Sequence, residues 1–279
     1  MTVAGVRREA FHLEAPGGGR FCLLTRPAGD ACGSVLLVPP FAEELNKSRR
    51  MMALAACAFA GRGWRVLQPD LLGCGDSAGD FGDAGWSAWV DDVGRSFDWL
   101  KQQGGGPTVL WSVRAGSLLV ADWLARTGLA VPWMAWQPVL NGKQHLQQFL
   151  RLKGVSDMLN EADARASMAA LRAALAAEQA VEVAGYMLSP ALVAGMEAAT
   201  LGVPPEYAER VHVLELSGQP DPSCSPGISA WVKRSADAGV SISAQALQGV
   251  AFWQTQEIET SPDLIAASCA VLEAWCHAH

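Results

Sequence analysis

This chain has no excess of basic residues. Its 21 Lys and Arg stand against 28 Asp and Glu, a net charge of −7 at pH 7 with an isoelectric point near 5.2. No basic patch and no lysine-aromatic stretch offers a footing to a phosphate backbone, so nucleic acid is excluded as an expected partner. Long apolar runs are also missing. Segments such as MMALAACAFA (51–60) are flanked by charge and fall well short of the ~20 residues that cross a bilayer. The opening MTVAGVRREAFHLEAP lacks the apolar stretch of a secretory signal. The seven cysteines are scattered, odd in number and without metal-type spacing. That usage predicts reduced thiols in a cytoplasmic setting, and neither a disulfide scaffold nor a metal centre. No metal and no cofactor is expected.

Apolar residues, by contrast, are abundant. They make up 50% of the 279 residues, enough for a sizeable core. AFHLEA and RFCLLTRP read as two strands joined at Gly17–Gly19. SVLLVPP, WRVLQPD, TVLWSV and PWMAWQP are continuous apolar runs of the kind buried on both faces of a sheet. Helical patterns with glycine stops separate them, as in LNKSRRMMALAACAFAGRG and WSAWVDDVGRSFDWLKQQGGG. VHVLELS, ISAWVKRSADAG, SISAQAL and a final helix complete the series. Strands alternating with helices predict βαβ units. The fold class is α/β, a mostly parallel sheet of about eight strands with helices on both faces.

Residues 143–205 break the rhythm. They are rich in Ala, Leu and Met and read as helical throughout. The expected division is a core of 1–142 and 206–279 with a helical insertion at 143–205, a lid above the C-terminal ends of the strands.

Three features carry chemistry. After WRVLQP comes Asp70-x-x-Gly73-x-Gly75-x-Ser77. TVLWSVRAGSLL then reads as strand, sharp turn and helix, with Ser112 and Gly116 around Val113-Arg114-Ala115. VHVLELS ends in Gly218-Gln219-Pro220-Asp221. Together with LLVPPF at the end of an earlier strand, this order resembles the α/β-hydrolase superfamily over nearly the whole chain. The resemblance implies an oxyanion-binding loop at Phe41, a nucleophile elbow of the form small-x-nucleophile-x-small at 112–116, and a triad acid at Asp221.

The chain departs from that pattern at two of its three positions. Arg114 occupies the elbow, and a guanidinium cannot attack a carbonyl. The segment after the last strand, LQGVAFWQTQEIETSPD, holds no histidine, and Phe252 and Trp253 stand where one is expected. Of the five histidines, His12 lies in the hairpin, His212 begins a strand, and His277 and His279 are terminal. Only His145 is placed to reach a cleft. Cys224 has no base nearby. PPFAEELNKSRRM places Glu43 and Glu44 at the sheet's C-terminal edge, as partners for a partly buried Arg114 or as solvated acids of a helix start.

VPPFAEELNKSRRM, DLLGCGDS, WSVRAG, WQPVLNGKQHLQQFLRL and FWQTQEI resemble the exosortase A system-associated hydrolase type 2 group. That resemblance implies a bacterial, cytoplasmic accessory protein beside exopolysaccharide production or protein sorting, with that machinery as a partner. It also implies that arginine at the elbow is usual. Three functions remain open at the level of sequence. In one, Arg114, Ala115, Phe41, Trp111 and Trp253 bind a small anionic, acyl or sugar ligand. In another, Glu43, Glu44 or Asp221 serves as general base beside Arg114 in a rearranged ester, thioester or acyl hydrolase. In the third, Arg–Glu pairs fill the cleft and function lies in a protein interface or an oligomer.

Overall fold

The computed structural model describes residues 5–156, 161–204, 207 and 209–276. Its centre is β3 (Gly33–Val38), buried at every position. It is flanked by β4 (Trp64–Pro69) and β5 (Thr108–Val113), both parallel to it. Strands covered by helices on both faces have no wet side. Their sequences are therefore unbroken apolar runs, each Val or Leu contributing roughly 1.5–3 kcal/mol by leaving water. β6 (Trp133–Trp136), β9 (Val211–Ser217) and β10 (Ile242–Gln248) extend the sheet in parallel beyond β5.

On the other side, β1 (Val6–Leu13) and β2 (Arg20–Pro27) form an antiparallel hairpin, and β2 runs antiparallel to β4. The full order is β1-β2-β4-β3-β5-β6-β9-β10. Charged, exposed Arg7, Arg8 and Glu9 line the outer strand, a composition that discourages edge-to-edge pairing. The hairpin is tied down by a buried ion pair. Arg20 Nε donates to Asp92 on α2 (Trp86–Gln102) at 2.8 Å, with the side chains 3% and 2% exposed. Arg20 also donates to the Gly18 and Pro16 carbonyls, and Asp92 accepts from Leu72 N–H. Burial pushes the Asp92 carboxyl above its usual range, and Arg20 offsets part of that.

α1 (Glu43–Ala60) and α3 (Gly116–Thr127) follow β3 and β5, while α7 (Pro226–Asp237) links β9 to β10 and α8 (Pro262–Cys276) ends the described chain. Between β6 and β9 lie α4 (Gly142–Ser156), α5 (Glu161–Ala176), β7 (Val181–Val183), β8 (Tyr186–Leu188) and α6 (Pro190–Ala198). The expectation of a wholly helical segment fails at β7 and β8, which pair antiparallel. Ala184 and Gly185, at φ 50° and 82°, make the two-residue turn whose left-handed backbone matches strand twist. The base of the segment closes through an Asn141–Thr200 bridge and Gly142 N–H donating to Ala199 O at 3.0 Å. Residues 157–160 and Pro205, inside the expected insertion, lie outside the described residues, as do His277 and His279.

Candidate functional site

The site is built at the C-terminal ends of β3, β5 and β6. At the end of β5 the chain reverses sharply at Arg114, whose φ is 52°. A side-chain-bearing residue in this left-handed region costs on the order of 1–2 kcal/mol, so neighbours must hold it. Arg114 N–H donates to Trp136 O at 2.9 Å. Arg114 O accepts from Ser117 N–H at 3.1 Å, Ser117 Oγ at 2.7 Å and Val139 N–H at 3.3 Å. Gly116 lets helix and strand close: a Cβ there would lie 2.3 Å from Val38 O and 2.6 Å from Pro39 O. The backbone is thus a strand–turn–helix elbow, with an arginine at its apex.

Ser112 and Ser117 are not alternatives to it. Ser112 is fully buried and its Oγ accepts the Trp133 indole N–H at 2.8 Å. Ser117 is fully buried and its hydroxyl is spent on Arg114 O.

The Arg114 side chain is largely enclosed, 16% exposed. Its Nε and Nη2 both donate to Glu44 Oε1, at 3.2 and 3.1 Å, and Nη1 donates to Gln137 O at 3.2 Å. The Trp253 ring covers it 5.0 Å away. Gln137 has φ 44°, and Ala42, immediately before α1, has φ 50°. Arg114 and Gln137, whose carbonyl accepts from the guanidinium, are thus both non-glycine residues with left-handed backbone at the ends of neighbouring strands, and Ala42 is a third at the start of α1. Strain of this kind clusters where positioning matters.

Glu44 sits in the first turn of α1, where the helix dipole favours an acid. Its Oε1 is used by Arg114. Its Oε2 is buried without a hydrogen-bond partner and faces His145 Nε2, also unpartnered, at 4.0 Å. Burial pushes the Glu44 carboxyl above its ordinary range, and Arg114 pulls it back in part. Burial first, and then the nearby Arg114 charge, lower the His145 imidazole to about 4, so it is neutral at pH 7. Arg114 is therefore paired with one carboxyl group and faced by one neutral imidazole.

The other expected residues are distributed as follows. Glu43 is solvated and paired with Lys47 at 3.5 Å. Asp221 is exposed and has no partner among the described residues. Phe41 is 4% exposed in a ring cluster with Phe81, Trp89, His145 and Phe149. Ala115 is 3% exposed. Phe41, Leu45, Ala115 and Leu119 border a cavity of about 10 Å³, the space of a single water. Neither of the two larger described cavities, about 550 and 480 Å³, is lined by Arg114. Trp111 is fully buried between Phe59 and Trp136 and has no surface to offer a ligand. Cys224 is raised by burial and by Glu215, which keeps it a thiol. Among the described residues no group of three or more His, Cys, Asp or Glu could hold a metal ion.

The D-x-x-G-x-G-x-S turn is a brace. Asp70 accepts from Asp76 N–H at 3.1 Å and from Arg49 at 3.2 Å. Ser77 Oγ donates to Asp70 O and accepts from Phe21 N–H. Sequence reasoning missed Gln137. It follows a short strand with no glycine to mark the left-handed backbone.

The strand order, the elbow after the third parallel strand and the flanking helices define the α/β-hydrolase fold. Solved structures with this fold align over most of the chain. An α/β serine hydrolase without a lid from Xanthomonas campestris shares 13% identity at a TM-score of 0.58, over 96% of this chain and 94% of that one. Est1E from Butyrivibrio proteoclasticus, with ferulic acid bound, shares 12% at 0.65, over 97% and 100%. One of two fungal esterases from Rhizomucor miehei shares 12% at 0.60, over 98% and 84%. No family model matches the chain. No curated protein matches it either. No described helix is long and apolar enough to cross a membrane.

Proposed function

We propose that this protein is an α/β-hydrolase-fold accessory factor of the exosortase A system-associated hydrolase type 2 kind. It works in the bacterial cytoplasm beside exopolysaccharide export or protein sorting, and it binds a small acyl or sugar ligand at the elbow without an acyl-serine intermediate. The observation that carries this reading is Arg114 at the elbow apex, locked to Glu44 and stacked on Trp253. In this reading residues 143–205 act as the lid, which must move aside for a ligand to enter, because the cavity beside the elbow is only about 10 Å³. The contacts of His145 and Phe149 with Phe41 support that role.

The charge balance selects among ligands. Glu44 already neutralises Arg114, so a free anion must break the pair before it binds. A hydroxyl can instead donate to Glu44 Oε2 and accept from His145 Nε2–H, satisfying two orphaned atoms at once. The favoured ligand is neutral and hydroxyl-bearing, such as a monoacylglycerol or a sugar. The test is thermal shift with 1-monodecanoylglycerol and octyl glucoside against decanoate. A shift with a neutral amphiphile that disappears in an Arg114→Met/Glu44→Leu double variant is expected. An unchanged shift in that variant overturns the reading.

A second reading has its own support. A carboxylate raised by burial, with a free oxygen 4.0 Å from a neutral imidazole, suits a general base acting on water. It requires turnover of a p-nitrophenyl ester that falls at least tenfold in Glu44→Gln.

A further inference from the structure

The seven cysteines are all free, and two of them meet far from the elbow. Cys32 lies immediately before β3, and Cys276 is the last residue of α8. Both are partly exposed, and the Cys276 thiol is a near enough neighbour to help raise the Cys32 thiol. Independent contacts bring the two segments together. Cys32 N–H donates to Gly63 O at 2.9 Å, and Cys32 Sγ lies 3.9 Å from Arg62 O. The Arg62 side chain then reaches Glu273, three residues before Cys276 on α8, at 2.8 Å. The β3 approach, the turn after α1 and the end of α8 thus converge around the two sulfurs. Cys22, Cys57, Cys74 and Cys269 are buried.

We propose that Cys32 and Cys276 form a modification site, a dithiol that a hydroperoxide converts to an intramolecular disulfide. The Cys276 thiolate attacks one peroxide oxygen and the O–O bond breaks. Sulfenic acid forms on Cys276, and the departing hydroxide takes a proton to become water. The Cys32 sulfur then attacks the sulfenic sulfur, the S–O bond breaks, and the oxygen leaves as a second water with the Cys32 proton. Two thiols and one hydrogen peroxide give one disulfide and two waters. Burial, and then the neighbouring Cys276 thiol, hold the Cys32 thiol up at about 11; first attack by either sulfur gives the same disulfide and the same two waters.

The bond would join the start of β3 to the end of α8, closing nearly the whole chain into one loop. Long loops are the case in which a cross-link removes the most freedom from the unfolded chain. The oxidised form should therefore melt higher by on the order of 5 °C.

The experiment uses the reduced full chain, treated with one equivalent of hydrogen peroxide, alkylated with iodoacetamide and mapped by mass spectrometry without reduction. The expected result is a Cys32–Cys276 cross-linked peptide. It should come with the higher melting temperature, be reversed by dithiothreitol, and be absent from Cys32→Ser and Cys276→Ser. Both cysteines recovered as alkylated or singly oxidised residues would overturn the proposal, and so would a disulfide joining two chains. The wild-type map decides the matter even if a serine variant folds poorly.

Discussion

Arg114 and Glu44 are each costly to bury alone. Paired, each supplies the charge the other needs, which sets the sign of three substitutions. Arg114→Ala strands a carboxylate that is only 16% exposed and should cost roughly 3–5 kcal/mol in urea unfolding. Arg114→Met with Glu44→Leu removes both charges and should recover most of that loss. His145 adds a pH signature. Its folded value of about 4 lies below the ordinary 6.5, so the unfolded chain takes up the proton first as pH falls. Stability is then lost between pH 6.5 and 4, by about 3 kcal/mol. Glu44 has the opposite sign. Its carboxyl is raised in the fold, so protonation favours the folded state as pH falls toward 4.5. Melting temperatures measured at pH 6.5, 5 and 4 should therefore fall less in His145→Gln than in wild type, and more in Glu44→Gln.

Elements were legible where burial is two-sided. β3, β4 and β5 read as apolar runs because helices cover both their faces. β7 and β8 were not legible. Each is three residues long and lies in a segment whose Ala and Leu content favours helix. The tertiary partner that turns Tyr186 inward, against Phe81 and Phe149, is remote in sequence. The elbow makes the sharpest demand on an element boundary, because β3 and α3 approach through the missing side chain of Gly116. Gly116→Ala pushes a methyl to 2.3 Å from Val38 O and should cost about 2 kcal/mol or more. Gly218→Ala, with open space around it, is the control and should change the unfolding midpoint little.

At the scale of the molecule, the α/β-hydrolase fold presents an arginine, not a serine, at the apex of its strand–turn–helix elbow. The frame was readable in sequence, because glycine and strand spacing around 112–116 follow from backbone geometry. What surrounds Arg114 was only half readable. Glu44 rather than Glu43 reaches it because the helical turn at the start of α1 points one inward and leaves the other with Lys47. Trp253 covers it from a loop about 140 residues away in sequence. Asp221 sits exposed, Phe252 is buried under Trp136, and both serines near the elbow are buried and hydrogen-bonded. No described serine therefore stands at the elbow with a base beside it. A fluorophosphonate probe should leave the intact protein unlabelled under conditions that label a serine esterase to completion, as read by whole-protein mass. Stoichiometric labelling of Ser112 or Ser117 would mean that the elbow opens in solution to a register different from the one described, with Arg114 displaced from Glu44.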